Sequence, residues 1–535
     1  MQVKTDCKLI YKAIERIKQR HDIIIKPTDK NLGIACISRN EYINAGYAKL
    51  NDRNYRKVTE CDMEDIARQY IDIFYQLGVL QYNQRNKQTI NYALPLDWKQ
   101  FQIDKEYERI VILGGFYLSN PEFIKLCRFY LTLKVHKNPR GYREICASPS
   151  WITAIMALMI HILLFPLLQK TPSYVRQSAD IILKINNSQY DTDCVFIQAD
   201  IESMYPSIKI CDGLTALKET LDINEYNHPK AQLIVKATEW VLRNNYMTFN
   251  DDIYLQIEGT AMGSSLSVTY ACLYMALKEQ IAIKQFISTT THLPILYKRM
   301  VDDVAAIMTN RMQAMVFMHL LQTAVNTGIN FEYQINDVDM IFMDMEIYKG
   351  NDFINTRKLS TRLYQKPMNK YLFLPYQSGH PLHVFKSWIT CYLKRIRILC
   401  SNDAEFEFNK QNFYARLRRR GYTEKFLRQI FKKEYNREKL LQKYTQARAK
   451  AHKQHAGHTA AVRLPHNRCN RNLLHQIMDY LKFPKELQED RHFEDIFGER
   501  KAPMIIYETA KNVSALLIRA EIATNKPSAR SINIV

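Results

Sequence analysis

The stretch Leu296-Tyr-Lys-Arg-Met-Val-Asp302-Asp303-Val-Ala-Ala-Ile-Met308 leaves few ways for a chain to fold around it. Two adjacent carboxylates interrupt an apolar, β-branched run, which reads as a hairpin with the acids at its turn. Adjacent acids at a strand turn are common on protein surfaces. What gives this pair weight is Asp200, which ends another apolar run, Cys194-Val-Phe-Ile-Gln-Ala-Asp200. If both runs join one sheet, three carboxylates meet at neighbouring strand ends. That arrangement suits two Mg²⁺ ions about 3.5–4 Å apart, as used for in-line phosphoryl displacement. The pattern predicts a nucleic-acid polymerase.

Charge supports such a substrate. The net charge of +21 points to a polyanionic partner, most simply nucleic acid, although a basic enzyme without one has the same composition. Residues 416–463 hold fifteen Lys or Arg against Glu424, Glu434 and Glu438, a net +12. Phe426, Phe431, Tyr435 and Tyr444 are interleaved, which suits phosphate contact with base stacking. A length of 535 residues exceeds one ordinary core, so several domains or subdomains are expected. The eleven cysteines are scattered and form no CxxC pair, which fits a reducing compartment. Met1–Arg20 is polar and does not read as a secretory leader. The apolar run 151–168 contains His161 and Pro166 and reads as a buried helix rather than a membrane span.

In chain order, residues 7–20 suggest a helix. Residues 22–37 read as strand, turn and strand, with Pro27 and Gly33 bracketing the turn. Helices are predicted over 41–54 and 60–80. A second basic hairpin is expected in Phe129-Tyr-Leu-Thr-Leu-Lys134-Val-His136-Lys137-Asn-Pro-Arg140-Gly141-Tyr-Arg143. After Asp200, Pro206 should stop the strand and a helix should begin. Tyr254-Leu-Gln256-Ile-Glu-Gly259-Thr-Ala-Met-Gly263 is a glycine-punctuated loop entering an apolar helix at 268–276. Its glycines would permit close approach to a nucleotide or template. Beyond Asp303 come a helix at 311–327, strands at 331–335, 340–348, 361–365 and 371–374, and a largely helical basic region over 384–450. Phe249-Asn250-Asp251-Asp252 reads as a plain hairpin turn, and Glu202 as an exposed or supporting carboxylate.

The order of the Asp200 run, the glycine loop and Val301-Asp302-Asp303 matches motifs A, B and C of reverse transcriptases. Finer detail resembles the Penelope-like retroelement reverse transcriptases, relatives of telomerase. The carrying stretches are Lys26-Pro-Thr-Asp29-Lys30-Asn-Leu-Gly33, the Phe129–Pro139 run, and the glycine loop. Phe342-Met-Asp-Met-Glu-Ile347, Tyr364-Gln-Lys-Pro367, Ser378-Gly-His-Pro381 and Arg420-Gly-Tyr422 follow in family order. A weaker match runs from Pro503 to Leu517.

The resemblance implies an α+β right-hand polymerase fold (fingers, palm and thumb) with helical N-terminal and C-terminal extensions. Residues 1–118 would form a family-specific region and part of the fingers, 119–375 the fingers and palm, and 376–535 the thumb and extension. It implies an RNA-directed DNA polymerase that extends a primer 3′-hydroxyl with dNTPs. RNA template and DNA primer or target would be its partners, with no membrane. Asp200, Asp302, Asp303 and the Ile201 carbonyl would hold two Mg²⁺, or Mn²⁺. Lys134 and Arg143 would meet the triphosphate, and Gln256, Gly259 and Gly263 would shape the pocket. Tyr205 stands where the family sets a ring against the sugar 2′ position, which predicts deoxynucleotide substrates. RNA-making polymerases tend to place an acid there.

There are departures. Met300 replaces the tyrosine usual before Val-Asp-Asp, weakening the expected support of the primer end. Arg143-Glu144-Ile145 keeps a cation but loses the family's proline. Residues 425–535 contain no GIY-YIG endonuclease pattern. Nuclear residence, or a cytoplasmic ribonucleoprotein, follows from the family, together with Arg418-Arg419-Arg420 and Lys432-Lys433. His452, His455, His458, His466 and Cys469 have zinc-like spacing, but Gly457 and the alanines suggest a basic linker instead. A catalytically inactive, nucleic-acid-binding descendant is the alternative reading.

Overall fold

The computed structural model describes residues 19–76, 124–135, 138–226, 228–325 and 328–450, with short pieces at 9, 12–17, 81–82, 90–91, 461–465 and 504–508. The His452–Cys469 cluster, His136, Lys137 and most of the C-terminal extension lie outside the described residues. Two units hold the described residues, one drawn from Met1–Arg176 and Asp191–Met343, the other from Gln177–Tyr190 and Asp344–Leu516.

The first unit opens with the antiparallel pair β1 (Ile23–Pro27) and β2 (Ile34–Ser38). Helix α1 (Arg39–Leu50), β3 (Tyr55–Val58) and α2 (Met63–Gln76) follow, then the short pair β4 (Gln81–Tyr82) and β5 (Ile90–Asn91). Next come β6 (Cys127–Lys134), β7 (Gly141–Ala147), α3 (Thr153–Lys170), β8 (Val195–Glu202), α4 (Met204–Ser207), α5 (Ile210–Ile223) and α6 (His228–Arg243). The unit closes with β9 (Tyr246–Phe249), β10 (Asp252–Gln256), α7 (Ser265–Thr290), β11 (Leu296–Met300), β12 (Asp303–Met308), α8 (Arg311–Val325), β13 (Asn330–Asn336) and β14 (Asp339–Phe342).

Two sheets organise these elements: a five-stranded one ordered β3-β10-β9-β6-β7 and a four-stranded one ordered β11-β12-β8-β13. The mixed α+β class expected from the sequence is what the chain adopts. In the four-stranded sheet, β8 is buried throughout Val195–Ile197 and alternates only towards its end. Val195, Ile197, Ala199 and Ile201 are buried, while Asp200 and Glu202 are exposed at its end. Helix α3 is apolar and long enough to cross a membrane, yet just over half of it is buried in this core, where it meets α6 and α7. Its one polar interruption is satisfied: His161 Nδ1 lies 2.7 Å from Thr269 Oγ1 on α7.

Several boundaries differ from the sequence expectation. The strand at Asp200 is ended by Ser203, whose φ of 49° leaves the extended region; Pro206 sits inside the short α4. The helix expected over 268–276 runs the full 26 residues of α7, because nothing from Ser265 to Thr290 is Gly or Pro. Residues 340–348 are not one strand but β14 and a separate Met345–Tyr348, broken at Met343, where φ is 59°.

In the second unit, Met345–Tyr348 pairs antiparallel with Ser360–Leu363, and helices occupy Leu382–Leu399, Asp403–Arg419, Glu424–Phe431 and Arg437–Lys450. Phe385, Ile389, Leu393, Phe413, Leu417, Tyr422 and Leu427 make their shared core. The strand expected over 371–374 does not form. Side chains from the connection between the helices Asp403–Arg419 and Glu424–Phe431 bind its backbone in place of a neighbouring strand. Arg420 Nε donates to the Phe373 carbonyl at 2.7 Å and the Tyr422 hydroxyl to the Leu374 carbonyl at 2.8 Å.

Candidate active site

The hairpin and the Asp200 strand do meet. Strand β12 pairs antiparallel with β8 so that Asp303 stands opposite Asp200, and the Ile201 amide donates to the Asp302 carbonyl at 2.9 Å. Asp302 itself lies in the two-residue turn between Met300 and Asp303. On the far side of β8, Glu332 of β13 stands opposite Asp200. Residues directly opposite in an antiparallel sheet share a face, so Asp303, Asp200 and Glu332 form a row across three strands. Asp200 and Asp302 are exposed and Asp303 is half-buried. One Asp303 oxygen accepts the Met343 amide at 2.9 Å.

Among the described residues, no three His, Cys, Asp or Glu side chains converge as a ready-made metal cage. The donors at these strand ends are carboxylates alone, which is the chemistry of a hard divalent cation. Mg²⁺ in particular is held by one or two carboxylates, substrate phosphates and water rather than by an all-protein cage, and the residues fit that mode.

Tyr205 links this corner to its surroundings. Burial pushes its phenol up from the ordinary value, with Cys272 and Asp302 adding to the shift, while Arg299 and Arg143 oppose it. Arg143 and Lys134 lie on paired strands. Thr132 stands opposite Arg143 and Lys134 opposite Gly141, so the two cations share one face of the β6–β7 ribbon. The Asp29 carboxylate, only 7% exposed, lies 3.5 Å from Arg143 Nε, so the 26–33 turn supplies a salt bridge to that cation.

The glycine loop behaves differently from its sequence expectation. Gly259 has φ of 76°, and a Cβ there would lie 2.8 Å from the Pro206 Cα; Gly263 has φ of 130°, and its Cβ would lie 2.4 Å from the Cys146 carbonyl oxygen. Both glycines make room for the protein's own backbone. Thr260 N–H donates to the Tyr205 carbonyl at 2.9 Å, and Cys146 N–H to the Met262 carbonyl at 2.8 Å. The loop therefore ties the Asp200 segment to the Arg143 strand. Gln256 is 3% exposed and spends its amide internally, accepting from Asn245 Nδ2 at 2.8 Å and donating to the Glu258 carbonyl at 3.0 Å. It shapes the loop from behind.

Sequence reasoning missed Asn54, whose carbonyl accepts the Ile257 amide at 2.8 Å while its side chain donates to the Pro206 carbonyl at 3.2 Å. It also missed the partners of Arg299. A lysine and an arginine side by side in a strand that is otherwise apolar were the available signal. Met300 is half-buried beside Asp303. Asp251 and Asp252 form the expected hairpin, Asn250 and Asp251 both having positive φ, and Asp252 pairs with Lys57 at 2.7 Å.

The animal helix-turn-helix domain family matches residues 372–432, within the second unit. Curated protein sequences give no match. Among solved structures, apo telomerase from Candida tropicalis is similar at 12% identity and a TM-score of 0.41, over 74% of this chain and 65% of that one. Telomerase from Candida albicans with a fragment of telomeric RNA gives 13% and 0.39, over 62% and 58%. The RNA-dependent RNA polymerase of a human picobirnavirus gives 11% and 0.42, over 74% and 79%. The chain spans about three fifths of the length of the telomerases it matches.

Proposed function

We propose that this chain is a template-directed nucleotidyl transferase, specifically an RNA-directed DNA polymerase of Penelope-like type. The observation that carries the reading is the register setting Asp303 opposite Asp200, with Asp302 in the adjoining turn. Asp200 and Asp302, with the Ile201 carbonyl and Asp303 in support, would hold two Mg²⁺. Those ions, when bound, lower the pKa of the primer hydroxyl and neutralise the leaving phosphates. The chain's own part is orientation. Lys134 and Arg143 would offset triphosphate charge from the β6–β7 face. The Tyr205 ring would occupy the space a 2′-hydroxyl needs, and the glycine loop holds that ring by its backbone. RNA template, DNA primer and dNTPs are the proposed ligands, and the nucleus the proposed site of action.

Primer extension on RNA and DNA templates, with dNTPs and rNTPs in parallel, tests this. Asp302→Asn is expected to lower extension by about a hundredfold or more while nucleic-acid binding persists. Tyr205→Ala is expected to raise rNTP incorporation relative to dNTP. No extension by the parent on any template would leave the inactive, nucleic-acid-binding descendant.

A further inference from the structure

Strand β11 carries Lys298 and Arg299 into the interior, where a charge must be paired. Arg299 is 4% exposed and Glu279, on α7, is 1% exposed; the two form an ion pair. Glu279 is further held by the Ser173 hydroxyl at 2.5 Å and the Tyr297 hydroxyl at 2.9 Å. Nη2 also reaches Glu279 Oε2 at 3.4 Å, and the fork has further acceptors. Nη2 donates to the Cys272 carbonyl at 3.0 Å, two turns back along α7, and Nη1 to the Val301 carbonyl at 3.0 Å.

Val301 is where the hairpin turns. Its φ is 61°, in the left-handed range that favours glycine, within the two-residue turn between Met300 and Asp303. A β-branched residue there is a steric outlier, and such conformations persist only when their surroundings over-determine them. Two bonds do so here: Arg299 to the Val301 carbonyl and the Ile201 amide to the Asp302 carbonyl. The Val301 carbonyl belongs to the peptide plane whose nitrogen is that of Asp302. Fixing it fixes where the Asp302 side chain leaves the turn.

We propose that Arg299, neutralised by Glu279, is a positioning residue that locks the Val301–Asp302 peptide and so orients the Asp302 carboxylate for a divalent cation. The inference rests on reading that turn as the cation site. Because Glu279 lies on the helix that follows the glycine loop, the lock also couples the turn to the loop that holds Tyr205.

Mn²⁺ titration of the full chain without nucleotide, followed by electron paramagnetic resonance of the free ion, reads the effect apart from activity. Asp302→Asn defines the share of binding that belongs to the turn. Arg299→Lys keeps a charge for Glu279 but loses the fork, and is expected to weaken that share about tenfold or more, as loss of an outer partner of a metal ligand does. The Asp302 amide should exchange hydrogen faster in the same variant. Glycine adopts the turn unaided. Val301→Gly is therefore expected to keep near-parent binding, and Arg299→Lys placed in the Val301→Gly chain to recover most of the loss. This background also relieves strain, so the comparison holds where Arg299→Lys alone does not fold. Parent-like Mn²⁺ binding in Arg299→Lys, or an undiminished loss in the Val301→Gly background, overturns the proposal. A parent that extends no primer, with Arg299→Lys still weakening Mn²⁺ binding, overturns the polymerase reading and leaves the lock standing.

Discussion

At Gly263 a Cβ would sit 2.4 Å from a carbonyl oxygen of β7, and the backbone angle there is one that L side chains rarely adopt. Gly263→Ala is expected to cost at least about 1–3 kcal/mol, measured by urea denaturation. Tyr42, fully buried, gives a second residue-scale prediction. Its hydroxyl accepts the Leu131 amide at 2.9 Å, and burial pushes its pKa up to about 12. A phenol whose folded pKa is raised favours the fold fully below its unfolded value near 10 and loses that contribution as pH climbs towards 12. Tyr42→Phe should therefore flatten part of the stability decline between pH 10 and 12. At neutral pH it should cost about 1–3 kcal/mol, because the Leu131 amide is left unpaired. The residues most legible in the sequence were those whose chemistry is local. Asp302 and Asp303 interrupt an apolar run at its turn, and Asp302 is exposed there while Asp303 is half-buried. The glycines were legible as positions without a Cβ, but not for what fills the space. Arg299 was read only through its neighbour Met300, because its meaning depends on Glu279, twenty positions away on another element.

Among elements, α3 and α7 show how packing overrides composition. The α3 run Thr153–Lys170 has a membrane-like hydropathy, yet Ile160 and Leu164 are fully buried inside the first unit. Leu164→Ala is expected to cost about 2–5 kcal/mol in chemical denaturation, the range for a leucine truncated in a closed core. Strand and helix types in this unit were largely readable from periodicity, and their ends were not. Ser203 ends β8 by adopting a left-handed conformation, a choice that neither its identity nor Pro206 announces. The 371–374 segment has strand-like residues, but tertiary donors Arg420 and Tyr422 claim its carbonyls.

For the whole molecule, charge is the property with the largest reach. Of the net +21, residues 416–463 carry +12. Binding to an RNA–DNA duplex should weaken steeply with salt. About 6–10 phosphate contacts would mean a loss of roughly 10³–10⁵ in affinity between 50 and 200 mM, measurable by fluorescence anisotropy. A flat salt response would remove nucleic acid as the partner of that charge. Removing Lys432 and Lys433 together should lower the slope of log affinity against log salt by up to about two.

The glycine loop has a genetic consequence. Gly259 abuts the Pro206 backbone and Gly263 the Cys146 backbone, atoms that every amino acid carries. No replacement at 206 or 146 can make room by shrinking a side chain. A selection for second-site suppressors of a substitution at either glycine should return reversions to glycine and almost nothing else, whereas a selection around Leu164, walled by side chains, should return compensating neighbours.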